Sequence, residues 1–344
     1  MYQIINNTPF QAALTCMTGV QGEEEAVVAV KATFELPLSG EQIRLSENQV
    51  PILYQDEYWG QPQMSSLKYP MDVVLGKAGT DIGLIGHAYS RREIPVQELV
   101  VSMRVAALFK EIRVFGDRHW RKRSMFPDYE MTAASPFIKM PLVFERAFGG
   151  TDLTHANVKK RGGELRNPVG TGYRINDHAV AEHNLPNLED PRQLISGWRD
   201  KPTPANLGFI ASSWQPRLQY AGTYDDAWRK ERMPILPEDF NIRFFNYAMP
   251  DLCAIPFLQG GEQVYLTNLS QHGDLSFRLP QYKISLIFQV GESKHTRKAL
   301  LYTVLFEPDD DRLQLVWGCA LNCNQSAEKL RYLKIEFESD PWTY

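Results

Sequence analysis

The sequence predicts a mainly β protein, with two β-sheet regions of sandwich- or barrel-like type joined by a long ordered irregular segment and few short helices. Two observations carry this. Short runs rich in β-branched and aromatic residues fill the first 150 residues and return after residue 217. Between them, residues 151–216 hold few periodic runs and many Gly, Pro, Asn and Asp. The expected division is 1–150, an N-terminal β region; 151–216, a loop-rich connection; and 217–344, a C-terminal β region able to share one sheet with the first.

In chain order, Ala26 to Leu36 mixes a continuous β-branched run with alternation and reads as a strand. Leu84 to Tyr89, Glu98 to Val105 and Glu111 to Phe115 follow; Gly116-Asp117 then marks a turn before His119-Trp120. This meander carries Arg104 and Arg113 among apolar neighbours. In the last third, strands are expected over Gln263 to Leu269, Leu275 to Leu279, Lys283 to Val290, Leu300 to Glu307, Leu313 to Trp317 and Leu333 to Phe337. Pro308-Asp309-Asp310-Asp311 supplies a hairpin loop. In the irregular middle, Leu185, Leu188, Trp198 and Trp214 are spaced as anchors, which predicts an ordered connection laid over the two β regions. One short helix is expected from Asp225 to Met233, capped by Thr223, favoured by Asp225 and Asp226 at its positive end, and stopped by Pro234.

Hydrophobic residues make up 43% of the 344 and charged residues 23%, enough to bury sizeable cores. A net charge of −4 gives no basic field for a phosphate backbone, so nucleic-acid binding is disfavoured. The N-terminal residues lack a basic stretch leading into an apolar one, and no run reaches the roughly 20 apolar residues of a membrane helix. The expected compartment is the cytoplasm. Cys16, Cys253, Cys319 and Cys323 then read as reduced, half-buried thiols.

Catalysis needs a nucleophile beside a base, paired carboxylates in a pocket, or a metal cage. His178 and His183 lie five apart without the H-E-x-x-H frame, and with Asp177 and Glu182 read as polar loop residues sooner than as ligands. Ser65 to Lys68 fits S-x-x-K but lacks its companion elements. Glu189-Asp190 and Glu238-Asp239 serve acid–base chemistry only if the fold brings them together. No enzyme activity, metal or cofactor is expected. Recognition fits the residues better. Arg146 follows Glu145 before a Gly pair and offers a planar fork of donors. Trp214 with Arg217, and Tyr224 with Trp228, combine the residue types enriched at interface hot spots. With Trp198, these make six candidate protein-binding residues; the competing reading is an internal ion pair tying the loop to a sheet for Arg146, and a core anchor for the others.

Several stretches, taken in order, resemble one family. They are Asp72 to Gly76, Gly86 to Tyr89, Val114 to Trp120, Pro141 to Gly150, Asn167 to Tyr173, Leu185 to Pro191, Trp214 to Arg217, Ala221 to Trp228, Leu236 to Phe240 and Phe244 to Asn246. The chain resembles the bacterial domain-of-unknown-function family twenty-one sixty-nine, whose members are encoded in type VI secretion clusters beside spike and PAAR-like tip proteins. Arg91-Arg92 stands where the family more usually has a proline-glycine turn. The resemblance implies an effector adaptor or chaperone that binds a secreted effector or a PAAR-like spike-tip protein. It supplies no catalytic residues. A hydrolase using the acidic loops, or a structural part of the secretion apparatus, stand as alternatives.

Overall fold

The computed structural model describes residues 2–37, 42–123, 129–154, 156–174, 183–324 and 327–338. The strand Glu24–Glu35 is its centre, and Ala26 to Phe34 are buried along its whole length. That explains the unbroken AVVAVKATF run: a central strand covered on both faces has no reason to alternate. Even Lys31 is buried there, its ammonium 2.9 Å from Asp72.

This strand lies in a seven-stranded sheet. Its order is Cys253–Ala254, Thr80–Leu84, Leu300–Glu307, Arg312–Asn322, Glu24–Glu35 and Gln11–Thr18, with Arg44–Leu45 paired to the end of Glu24–Glu35. N-terminal and C-terminal strands therefore interleave in one sheet. Thr80–Leu84 runs parallel to Leu300–Glu307, and the other neighbours are antiparallel. A five-stranded antiparallel sheet is ordered Leu188–Glu189, Leu108–Phe115, Glu98–Val105, Gln263–Thr267 and Leu275–Arg278. A four-stranded sheet is ordered Gln3–Asn6, Leu330–Phe337, Ile284–Val290 and Ser293–Lys298, its first strand parallel to its neighbour. Each of these sheets ends on two different edge strands, so none closes into a barrel. One core joins all three: Phe34, Leu286, Phe288, Val101, Ile112, Val264 and Phe306 belong to a single buried cluster.

The mainly β expectation holds, and Glu98–Val105 and Leu300–Glu307 have the expected bounds. The run Leu84 to Tyr89 is instead broken at Ile85-Gly86, where one strand of the large sheet ends and His87–Tyr89 leaves to pair with Lys139–Pro141. Gln3–Asn6, Gln11–Thr18 and Ser293–Lys298 are strands that the apolar pattern did not announce; all three are sheet edges. The helix spans Asp226–Glu231, and its cap is Asp225, which accepts the Trp228 N–H at 2.8 Å. Thr223 does not cap it, because its N–H and hydroxyl are both given to Asp239. At Arg92 the backbone is left-handed, φ 55° and ψ 27°, at the place where a glycine would be unstrained.

The irregular middle is pinned along its described parts. Leu188–Glu189 adds to the edge of the five-stranded sheet. Further on, the Leu84 N–H donates to the Leu207 carbonyl at 2.8 Å, and the Phe209 ring lies where a Cβ on Gly83 would meet it at 2.3 Å. The missing side chain of Gly83 is thus what lets this segment sit on the large sheet. Cys319 and Cys323 are buried, Cys253 is half-buried and Cys16 is exposed; all four are free thiols. No helix among the described residues is long and apolar enough to cross a membrane.

Candidate protein-binding surface

The six sequence candidates separate by burial. Trp214 and Arg217 are 3% and 2% exposed, so neither offers a surface on this chain. Trp214 packs edge-to-face on Phe144 with ring centroids 5.4 Å apart. The Arg217 guanidinium donates to the carbonyls of Ile210 at 2.7 Å and Phe244 at 2.9 Å, and lies over the Tyr247 ring at 3.8 Å. Arg217 thus ties the middle segment to the loop after the helix, while Trp214 ties it to Phe144. Phe240, Phe244 and Phe245 form a mutual cluster beside Arg217, with Phe244 edge-on to both of the others. Trp198 is half-buried against Trp120, Phe148, Leu185 and Ile195, with the Arg199 guanidinium 4.4 Å over its ring.

Arg146 lines a cleft of about 400 Å³ together with Asp117, Arg118, Glu145, Thr171, Asn184, Leu185 and Asn187. Residues from four of the family-like stretches meet there. Arg146 does not pair with its neighbour Glu145. It donates to Asn187 at 2.9 Å and Asp117 at 3.3 Å, while Glu145 accepts the Ser66 N–H and hydroxyl, both at 2.7 Å. Beneath the cleft Glu189 pairs with Arg118, and both are buried. Burial pushes the Glu189 carboxyl above its usual range even with that partner. Asn167, fully buried, gives its amide to the carbonyls of Phe144 at 2.7 Å and Phe148 at 3.0 Å. Gly150 has φ +99°, and a Cβ on Gly116 would lie 1.7 Å from the Ser135 carbonyl, so neither position admits another residue without a shift. These motif residues spend their polar groups on holding loops together.

Tyr224 and Trp228 remain as the outward pair. Tyr224 is 49% exposed and stands edge-on to Trp228, with centroids 4.7 Å apart at 71°. Trp228 is fixed from below by its indole N–H, which donates to the Ile235 carbonyl at 2.8 Å. A groove of about 450 Å³ runs beside them, lined by Thr223, Asp225, Ala227, Trp228, Glu231, Arg232, Pro237, Glu238 and Asp239. Arg232 ties the helix to the N-terminal hairpin through the Val20 carbonyl at 2.9 Å. Hydrogen bonds from the Thr223 N–H and hydroxyl hold the Asp239 carboxyl below its usual range, so it is charged at neutral pH. The groove is therefore acidic, with Trp228 in its wall and Tyr224 against that ring.

Neither acidic pair joins the other. Glu189 is consumed by Arg118 and the Ile195 N–H, Asp190 by Arg192, and Glu238 lies exposed 3.5 Å from Arg232. Burial and the nearby Arg174 push the His183 imidazole down, so it is neutral near pH 7. Asp177, His178 and Glu182 lie outside the described residues, as does His155. Among the described residues no group of three or more His, Cys, Asp or Glu is gathered as for a metal ion.

A second exposed surface was not singled out in the sequence. On the outer face of the five-stranded sheet, Phe109, Arg104 and Tyr265 stand in one cross-strand row. Phe109 and Tyr265 are each 47% exposed, and Arg104 lies 4.5 Å over the Phe109 ring. Alternation against buried Val101, Met103 and Val105 places Arg104 outward; only the register brings the two aromatics beside it.

The family profile described as an uncharacterized protein conserved in bacteria (DUF2169) matches residues 21–318. The chain belongs to DUF2169. The family expected from the motif stretches is thus the one found. The DUF2169 match contains the cleft at Arg146, the acidic groove and the outer face of the five-stranded sheet. It omits Gln3–Asn6 and Leu330–Phe337, two strands of the four-stranded sheet. Comparison with curated proteins and with solved structures finds no significant match.

Proposed function

We propose that the chain is a type VI secretion accessory protein, an adaptor or chaperone that holds a secreted effector or a PAAR-like tip protein for loading onto the spike. The observation that carries this reading is the Tyr224–Trp228 pair on the lip of an acidic groove. A rigid aromatic anchor within a charged rim is the composition of a binding hot spot. Arg217 supports it, since its guanidinium ties Ile210 to Phe244 in the loop that follows the helix. The partner face that complements the groove is basic, and association through it weakens as salt rises.

The test is capture of the co-encoded effector, or of its PAAR-like protein, by the purified chain from defined mixtures. Tyr224→Ala and the double change Glu231→Lys/Glu238→Lys should each reduce capture about tenfold or more. Losing the Tyr224 edge contact should cost stability about 0.5–1.5 kcal/mol, and the exposed Glu231 and Glu238 changes about 0.5 kcal/mol, so neither variant unfolds. Failure of the unaltered chain to hold either partner across a range of salt would refute the adaptor reading. Departure of the chain from the cell with the spike would make it a component of the apparatus instead.

A further inference from the structure

The strand Ser293–Lys298 lies at one end of the four-stranded sheet and, among the described residues, pairs on one side only, with Ile284–Val290. The Ala299 N–H donates to the Ile284 carbonyl at 3.0 Å. In an antiparallel ladder the residues alternate between bonding their partner and facing away from it. Counting back from Ala299, Arg297, His295 and Ser293 bond inward, while Lys298, Thr296 and Lys294 turn their N–H and carbonyl groups outward. The Thr296 carbonyl takes a bond at 3.1 Å from the neighbouring Arg297 guanidinium, which an incoming strand would displace. His295 is half-buried and the other five residues of the strand are exposed.

The same six residues carry Lys294, Arg297 and Lys298 and no acid, within a chain whose net charge is −4. Lys298 lies 3.4 Å from Glu338 with its side chain 77% exposed, and among the described residues Lys294 and Arg297 have no ion pair. Cations on an edge oppose pairing with a second copy of the same strand, because like charges face each other across the new ladder. An acidic strand meets no such penalty. By contrast, the edge Gln11–Thr18 of the large sheet is crossed by Tyr2, whose hydroxyl donates to the Leu14 carbonyl at 2.8 Å.

We propose that Ser293–Lys298 receives an extended acidic segment of a partner protein by strand addition. The backbone of Lys294, Thr296 and Lys298 supplies the ladder, and the three cations select the charge of the incoming strand. The site rests on the adaptor reading only for the identity of the protein that brings the segment.

The probe is a fluorescein-labelled peptide of about eight residues alternating glutamate with valine, mixed with the full chain and followed by anisotropy and by amide hydrogen exchange. The expected result is binding that slows exchange at Lys294, Thr296 and Lys298, while Ser293, His295 and Arg297, already bonded, change little. Two changes should each weaken binding at least tenfold. One is Lys294→Glu/Lys298→Glu in the protein; the other is N-methylation of alternate peptide amides, which keeps the charge and removes the ladder. Thr296→Pro, which deletes an outward donor and no charge, should act in the same direction. Equal binding of the N-methylated peptide, or no slowing at the three amides, would overturn the proposal. Capture of the effector by the Lys294→Glu/Lys298→Glu chain would leave the adaptor reading standing and place docking elsewhere. Slowed exchange with peptide but no effector capture would do the reverse.

Discussion

Arg217 and Glu307 show how single buried charges hold this fold. Arg217 spends its guanidinium on two carbonyls and two aromatic faces, so its removal leaves the Ile210 and Phe244 carbonyls without that donor in the interior. Arg217→Met should cost about 1–3 kcal/mol for each stranded carbonyl in urea denaturation, more than Tyr224→Ala, reversing the order expected if Arg217 were a surface hot spot. Burial alone would raise the Glu307 carboxyl, but hydrogen bonds from Arg312, Tyr69 and Gln314, with the Arg312 charge, outweigh it and hold the carboxyl below its usual range. Native Glu307 therefore binds its proton less readily than in the unfolded chain. Its stabilisation is present above the unfolded carboxylate pKa of about 4.3 and is lost as pH falls through the native value. Glu307→Gln should lower stability at pH 7 by about 1–3 kcal/mol and flatten the decline measured between pH 5 and pH 2. Burial was the part of these residues that the sequence left open. A Trp and an Arg three apart have the same composition whether they plug a core or greet a partner, and only the segments packed over them decide.

Among elements, those with one wet and one dry face were legible, and the edges were not. Glu98–Val105 alternates because Val101, Met103 and Val105 point into the core while Val100, Ser102 and Arg104 do not. SKHTRK offers no such contrast, since an edge strand drawn from polar residues owes its conformation to its neighbour's hydrogen bonds. The helix was placed within a few residues because its stop and its acidic first turn are local signals. Its cap was misplaced because Asp239, sixteen residues on, competes for Thr223. A helix of six residues is marginal without its cap. Asp225→Ala should remove the bond to the Trp228 N–H, cost about 1 kcal/mol, and loosen the indole enough to broaden its fluorescence emission.

For the molecule as a whole, the large sheet matters more than any boundary drawn from composition. Its strands come from residues 11–84 and 253–322, and among the described residues the long middle stretch adds none to its ladder. Fragments 1–216 and 217–344 would each leave a sheet edge open along buried, apolar strands. Neither should show a cooperative melt by circular dichroism alone, and mixing the two should restore one. A cooperative melt of either fragment by itself would mark an independent domain.

The parallel pairing of Thr80–Leu84 with Leu300–Glu307 also sets a timetable. The ribosome adds roughly 5–20 residues each second, so the first strand waits some tens of seconds in the growing chain before its neighbour exists. During that interval Ile82 and Leu84, sealed in the finished protein, face water. Native yield would thus depend on how long those two residues go uncovered, and it should rise with the supply of general holdases during synthesis.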